Sequence, residues 1–503
     1  MRAAPALDLV DGREVRVPIG AAFDVVVVGS GPAGAAAARV IARQGLSVAV
    51  VEEGRRFVPA EFPPDGFSAM SEVYRGLGST LCLGRAPMPY LQGCAVGGTS
   101  VVNGAISWRL PRDVYDEWVA ADPEIGAAIP WSEIEAELDV VERDLGIHPT
   151  PEAISGANNL LLARGAEALG IAHRPIHRNV KGCRGLGRCL QGCPEGNKQS
   201  MDFSYLPEAC AAGARIFASA EARAVTVERG RAVSVEGRSA AGARVRLRAR
   251  HAVVLAASAV QTPILLARSG LGGAATGLGF QCHPGVSMAG RFREEVRLWT
   301  GATQGHEVTG LRREGIKIEA LGYDATIVAT RHKETGAALG SALADLAHWA
   351  NWGAAIRARA RGRVRRGIGG PWISYGLGPA DMKIVRRSVR ILGELMLAAG
   401  AEYVTPGVYG WHEKVTDPSM MGRFEEQGPL DPRAYSLVAT HLFGSCRMGS
   451  DPRTSVVRPD FRHHRVEGLY VADSSVFPSN TGVNPQTTIL ALAAICGRRV
   501  TKR

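Results

Sequence analysis

Residues 23–34, FDVVVVGSGPAG, constrain this chain more than any other stretch. Four consecutive valines follow Asp24. A strand with no polar face belongs inside a parallel sheet covered on both sides. The strand ends in Gly29-x-Gly31-x-x-Gly34; small residues continue through Ala38, and an amphipathic run reaches Arg43. Residues 46–53, LSVAVVEE, read as a second apolar strand. Strand, glycine turn, helix and strand in this order make a β-α-β unit of about thirty residues. Gly29 permits the tight turn. Gly31, with Pro32 and Ala33 beside it, lets backbone approach a pyrophosphate held at the positive end of the helix. Gly34 lets helix and strand pack closely. Glu52, eighteen residues past Gly34, is placed with its neighbour Glu53 to accept from ribose hydroxyls. A carboxylate there disfavours a 2′-phosphate, so NADP is not expected. The unit by itself does not separate FAD from NAD.

Composition narrows the classes. The 503 residues include 61 Gly and 28 Pro without a collagen period, which excludes fibrous and disordered chains. No apolar run reaches the ~18 residues of a membrane-spanning helix. The net charge is +11, of which Arg357, Arg359, Arg361, Arg363, Arg365 and Arg366 supply a concentrated part. An excess this local does not mark a nucleic-acid binder. Nine cysteines in a chain of this length do not read as a secreted disulfide scaffold. Residues 1–20 carry charges and lack the apolar core of a signal peptide. A cytoplasmic protein is therefore the expectation; export carried by a partner subunit would leave no trace here.

The C-terminal third holds a second constellation. Residues 440–449 read THLFGSCRMG, residues 468–473, GLYVAD, a short strand ending in an acid, and residues 480–494 NTGVNPQTTILALAA. Pro485 suits the first turn of a helix, with Asn484 as N-cap and residues 486–495 as the apolar body. The exposed N-terminus of such a helix stabilises developing negative charge.

Taken in order, FDVVVVGSGPAG, GGTSVVNG at residues 97–104, Trp108-Arg109, YDEW at 115–118, SAVQTP at 258–263, His441 and Asn484 resemble the glucose-methanol-choline (GMC) family of FAD oxidoreductases. The resemblance runs over nearly the whole chain except residues 286–429. It implies an α/β fold: a Rossmann-like FAD-binding domain from residues 20–285 and 430–503, with a cysteine-rich loop inserted at about 180–200. A second, α+β substrate domain at 286–429, built on an antiparallel sheet, would roof the flavin. Gly97, Gly98, Thr99, Asn103, Gly104 and Ala105 would lie along the flavin, where side chains must be small or hydrogen-bonding. Ala257, Asp473, Asn484, Pro485, Gln486 and Thr487 would complete the cofactor site. SAVQTP, after an expected strand at 252–257, reads on its own as an ordinary strand-to-helix turn. Some family members attach FAD through a His just before that Asn; Val102 stands there, so non-covalent FAD is expected. In the family a His and a second His or Asn a little over forty residues later meet over the flavin. Here His441 and Asn484 are 43 apart. Alcohol oxidation needs removal of a hydroxyl proton and of the carbinol hydride. An imidazole can take the first, and an amide can orient the same oxygen. His441 is the expected general base and Asn484 its orienting partner.

Residues 182–200, GCRGLGRCLQGCPEGNKQS, carry Cys183, Cys189 and Cys193 at C-x5-C-x3-C spacing. Three thiols in a glycine-rich loop can converge on an iron–sulfur cluster or zinc. A metal-free loop and a disulfide are the alternatives. The spacing resembles the loop of bacterial FAD glucose dehydrogenases, which implies a [3Fe–4S] cluster. It further implies a sugar, polyol or sugar-containing substrate, with electrons passed to an acceptor protein or quinone. An oxygen-using oxidase of an aliphatic or steroid alcohol is the alternative. Cys82, Cys94, Cys210, Cys282, Cys446 and Cys496 read as packing residues. His283, between Cys282 and Pro284, reads as structural, with a place in the site as the other option.

Residues 285–292 and 307–330 alternate as strands do. Residues 344–366 read as an amphipathic helix ending in the arginine cluster, either a lid with a solvated end or a contact for a membrane or acidic redox partner. Residues 381–399 read as a helix with Val385, Val389, Leu392 and Met396 on one side. Residues 407–411 and His412 are expected to approach the substrate pocket.

Overall fold

The computed structural model describes residues 3–329 and 334–502; Met1, Arg2, Arg503 and Thr330, the end of the expected 307–330 stretch, lie outside the described residues. The valine run forms the strand Ile19–Val28 at the middle of an eight-stranded sheet. Val25, Val26 and Val27 are wholly buried, each contributing about 1.5–3 kcal/mol relative to exposure. Val25 pairs with Val48 of the strand Val48–Val51 on one side and with Ala252 of Arg244–Leu255 on the other, all parallel. Ala214–Ala218 and Leu9–Asp11 extend the parallel part, and Leu469–Val471 joins Arg244–Leu255. Arg231–Ser239 and Ala220–Glu228 add an antiparallel hairpin. The helices Pro32–Arg43 and Gln486–Thr501 pack against each other, covering this sheet with Trp131–Leu145 and Tyr205–Ala211. Gly34 lies where these layers come closest: a Cβ there would stand 1.8 Å from the Gly29 carbonyl oxygen.

A second, eleven-stranded sheet faces the first. Its centre is antiparallel: Val438–Phe443, Leu278–Arg291, Trp349–Ile356 and Ile316–Ala320 in that order. Two parallel pairings bring in Thr80–Leu83 and Met88–Tyr90. The helix Pro379–Ala398 backs this sheet, as the expected helix at 381–399 does, with Val385, Val389, Leu392 and Met396 all buried. The strand Leu278–Arg291 runs unbroken through residue 285, and the sheet also takes strands from residues 80–90, 173–175 and 438–443.

Residues 344–366 depart from expectation. They form the strands Trp349–Ile356 and Gly362–Arg366 rather than one helix. Ala350, Trp352, Ala354 and Ile356 are buried, which is a period of two. Alanine gives such a stretch helical propensity, but pairing with Leu278–Arg291 overrides it. The arginines therefore sit on a loop and a hairpin. Residues 307–330 contain the strand Ile316–Ala320 but end in a short helix, Ala325–Ala329.

Candidate active site

Between the two sheets lies a cavity of about 1270 Å³. Gly29, Gly31, Pro32 and Ala33 form one end of its wall with Glu52 and Glu53. Gly29 has φ +100°, the left-handed turn that glycine allows. A Cβ on Gly31 would meet only Gly98 Cα, at 3.8 Å, so its backbone faces open space. Glu52 is tied down by Ser30 N–H (2.9 Å), Ser30 Oγ (2.7 Å) and Gly54 N–H (2.8 Å). Burial pushes its carboxyl up, and these donors pull it back in part.

Gly98, Thr99, Asn103 and Gly104 line the middle, and Ala257, Asp473, Asn484, Pro485 and Gln486 the opposite wall. Asp473 accepts from Ser258 N–H (3.1 Å), Thr262 Oγ1 (2.5 Å) and Ser475 N–H (2.8 Å), which ties the two halves of the α/β domain together. Four expected cofactor contacts do not reach the wall. Gly34 packs on Gly29, Gly97 makes a left-handed turn held by Ser30 Oγ at 2.9 Å, and Ala105 and Thr487 are buried behind Asn103 and Gln486.

The last helix begins at Gln486 with Pro485 at the cap, one residue later than expected. Asn484 is thereby freed from capping and faces the cavity. The first N–H groups of this helix have no helical partner. Asn484 Oδ1 and Gln486 Nε2 are buried without a partner among the described residues. Such a set of unmet polar groups at a helix N-terminus fits the polar edge of a flavin ring.

His441 lies on the strand Val438–Phe443 with φ +52°, a strained conformation for a histidine. Its Nε2 stands 3.2 Å from Asn484 Nδ2 and its Nδ1 3.0 Å from His283 Nδ1. His283 Nε2 accepts from Gly482 N–H at 3.1 Å. His283 thus takes part in the site, although a Cys-His-Pro sequence carries no signal beyond position. Burial, and then the Lys317 charge, pushes His441 down to about 3, so the imidazole is neutral at neutral pH. Lys317 is itself buried between Glu307 (2.8 Å) and Glu319. Glu307 also accepts from Arg174 (2.8 Å) and Trp108 Nε1 (2.7 Å), and burial that would raise it is outweighed by these cations. Two cations and two carboxylates balance, and Glu319 alone of the four lines the cavity, held by Gln304 at 2.8 Å.

The second sheet adds small residues, Gly285, Val286, Ala289, Gly353 and Ala354, among the polar Ser287, Asn351 and Thr405, with Leu321, Leu437 and Val438 beside them. Alternation marked residues 285–292 and 307–330 as strands, but not residues 353 and 354, because a sheet that must leave room is built of glycine and alanine. Residues 407–411 and His412 do not line the cavity; Trp411 packs on Phe424 instead.

The cysteine loop abuts the cavity through Gly187, Leu190 and Gln191. Among the described residues no group of three or more His, Cys, Asp or Glu is arranged to hold a metal ion, and every cysteine is free. All three thiols are engaged by protein donors. Buried Arg178 donates to Cys189 Sγ (3.1 Å) and Cys183 Sγ (3.8 Å). Buried Lys198 donates to the carbonyls of Val101, Asn103 and Cys189. Cys193 accepts from Asn197 N–H at 3.3 Å. The expected [3Fe–4S] site at Cys183, Cys189 and Cys193 does not fit this geometry, because a guanidinium stands between two of its ligands. The other six cysteines are buried or half-buried, as packing residues are.

Residues 70–285 and 358–493 match the N- and C-terminal parts of the family described as GMC oxidoreductase, and residues 23–116 match pyridine nucleotide-disulphide oxidoreductases. A Mycobacterium tuberculosis protein named as an uncharacterized GMC-type oxidoreductase is 37% identical, over 95% of this chain and 76% of its own length. A long-chain-alcohol oxidase of Arabidopsis thaliana is 28% identical, over 95% of this chain and 68% of its own. Among solved structures, Aspergillus oryzae formate oxidase superposes with a TM-score of 0.76 at 16% identity, covering 96% of this chain and 99% of that one. With this fold, this cavity and these relatives, the chain belongs to the GMC oxidoreductase family, built on an FAD-binding α/β domain.

Proposed function

We propose that the protein oxidises the CH–OH group of an apolar alcohol to a carbonyl, with non-covalent FAD as hydride acceptor. The observation that carries this is the convergence of His441 and Asn484, 3.2 Å apart, on a cavity wall beside the open N-terminus of the last helix. FAD supplies an electrophilic ring nitrogen that accepts the carbinol hydride. Gly29, Gly31, Pro32 and Ala33 would hold the pyrophosphate, and Glu52 and Glu53 the ribose end. Gly98, Thr99, Asn103, Gly104 and Gln486 would flank the ring. Val102 offers no atom for a covalent link.

His441 Nε2 and Asn484 are the polar pair that a substrate hydroxyl meets. His441, neutral and shielded from bulk water, takes the hydroxyl proton while Asn484 fixes the oxygen. Ala289, Gly353, Leu321 and Leu437 leave room on the cavity wall for a hydrocarbon chain, and the relatives include long-chain-alcohol oxidases. This supports the aliphatic alternative of the sequence reading. The sugar substrate rested on the three-cysteine loop, and that loop, its thiols engaged by protein donors, lends the reading no support. An oxidase passing electrons to dioxygen needs no iron–sulfur relay.

The test is aerobic and anaerobic turnover of purified yellow protein over alcohols of increasing chain length and over glucose. kcat/KM rising with chain length, with peroxide formed in step with aldehyde, is the expected result. Turnover of glucose alone, or only with an artificial dye, would overturn the reading. Flavin released by acid precipitation checks non-covalent attachment.

A further inference from the structure

The hairpin formed by Gly362–Arg366 and Pro371–Ser374 carries the arginine cluster on its first strand and the loop before it. At its tip Ile368 is fully exposed, and Trp372, on the second strand, is 55% exposed. Arg365 pairs with Trp372 across the hairpin. Ile373 pairs with Cys82 in the parallel register of the next strand, so Trp372 stands beside Leu81, itself 46% exposed. Leu81 in turn pairs with Pro89, which lines the cavity. Side chains opposite one another across a sheet share a face. Arg365, Trp372, Leu81 and Pro89 thus make one stripe, running from exposed cation through exposed apolar surface to the cavity wall.

Two features fix the kind of partner. Arg361, Arg365 and Arg366 are exposed and make no ion pair among the described residues, so their charge is open to an anion. Beside them Ile368 is fully exposed and Trp372 is more than half exposed. Soluble chains rarely expose such side chains together at a hairpin tip. Apolar side chains projecting from a basic rim match the layering of an anionic bilayer, with headgroups outside and hydrocarbon just beneath. An acidic protein surface would use the arginines and leave Ile368 in water.

We infer that this edge docks the protein on an anionic lipid surface, Ile368 and Trp372 entering the interface and the arginines meeting the headgroups. The docked edge leads through Leu81 to Pro89 on the cavity wall, which would bring the cavity near the membrane that holds an apolar alcohol. This last step rests on the proposed substrate class; the docking does not.

The experiment is flotation of the flavin-loaded full chain with phosphatidylcholine vesicles, with and without phosphatidylglycerol. Wild type is expected to float with the anionic vesicles only, and less at high salt. The Ile368→Ser, Trp372→Ser double variant should lose at least about tenfold in vesicle affinity, as should Arg365→Gln, Arg366→Gln. All should keep the flavin spectrum and wild-type turnover of a short, water-soluble alcohol. Absence of flotation, or flotation unchanged in the apolar variant, would overturn the inference. So would tight binding of soluble polyglutamate that ignores Ile368 and Trp372, which would mark an acidic protein as the partner. Flotation without turnover of any alcohol would leave the docking standing and sink the reaction instead.

Discussion

One proton can sit between His283 Nδ1 and His441 Nδ1, and that limit sets what His441 can do. Gly482 N–H is a fixed donor to His283 Nε2, so neutral His283 carries its proton on Nδ1 and points it at His441. His441 then holds its own proton on Nε2, and the Asn484 amide turns its oxygen to accept it. To receive a hydroxyl proton at Nε2, the pair must shift: His441 donates from Nδ1, and His283 gives up the Gly482 bond. That bond is worth on the order of 1 kcal/mol, a small barrier to the base-competent form. His441→Ala removes the acceptor while leaving the cavity floor intact. It should keep a wild-type flavin spectrum and lose about 10²–10⁴-fold in turnover, read by anaerobic flavin bleaching in a stopped-flow instrument. Asn484→Asp puts a carboxylate 3.2 Å from the imidazole. An opposite charge at that distance favours imidazolium, which cannot accept a proton. The acidic limb of kcat/KM should therefore move up toward neutrality in Asn484→Asp, whereas wild type, with His441 pushed down to about 3, should show no histidine limb near pH 6.5.

At the scale of elements, the glycines of the first turn divide into two kinds, and substitution separates them. Gly31 faces open cavity, so Gly31→Ala should fold normally and lose flavin affinity, seen as free flavin in a dialysis or filtration measurement. Gly34→Ala would put a Cβ 1.8 Å from a carbonyl oxygen, and overpacking of this kind costs about 1–3 kcal/mol. Its unfolding midpoint should drop whether or not flavin is bound. The same turn shows what was legible in the chain. A valine run and three spaced glycines are local signals, and they located a strand, a helix start and a cavity wall correctly. The helix at Pro379–Ala398 was legible for the same reason, because its apolar residues recur at helical spacing. Trp349–Ile356 was not. Its alanines favour a helix in isolation, and only the neighbouring strand, about seventy residues earlier, makes it a strand. His283 was likewise visible as a residue but not as a partner, since its role depends on a contact 158 positions away. The cysteine loop misled in the opposite direction. Its spacing is local, but Arg178, which donates to two of its thiols, precedes the motif and carries no sign of that role.

For the molecule as a whole, buried histidines tie stability to pH. His283 is pushed well down by burial and by its neighbour His441. Burial, with His173 beside it, brings His306 down to about 4. Burial, with Arg465 beside it, does the same for His463. All three are neutral in the native state and free to take a proton near pH 6.5 once unfolded. Below pH 6.5 the unfolded chain therefore binds more protons than the native one, and stability falls as pH falls, until the native groups themselves titrate. Each contributes up to about 1.4 kcal/mol for every pH unit in that window. Glu52 and Asp473, which burial raises, offset part of this loss on acidification. Urea unfolding of the flavin-loaded protein at pH 7.5, 6.5 and 5.5 should give a midpoint that is nearly level across the first interval and drops across the second. In the variant His306→Gln, His463→Gln the drop should be smaller by the share of two histidines, even if the variant starts from a lower midpoint. A midpoint that rises on acidification, or a slope the double variant leaves unchanged, would mean that these imidazoles are charged inside the fold.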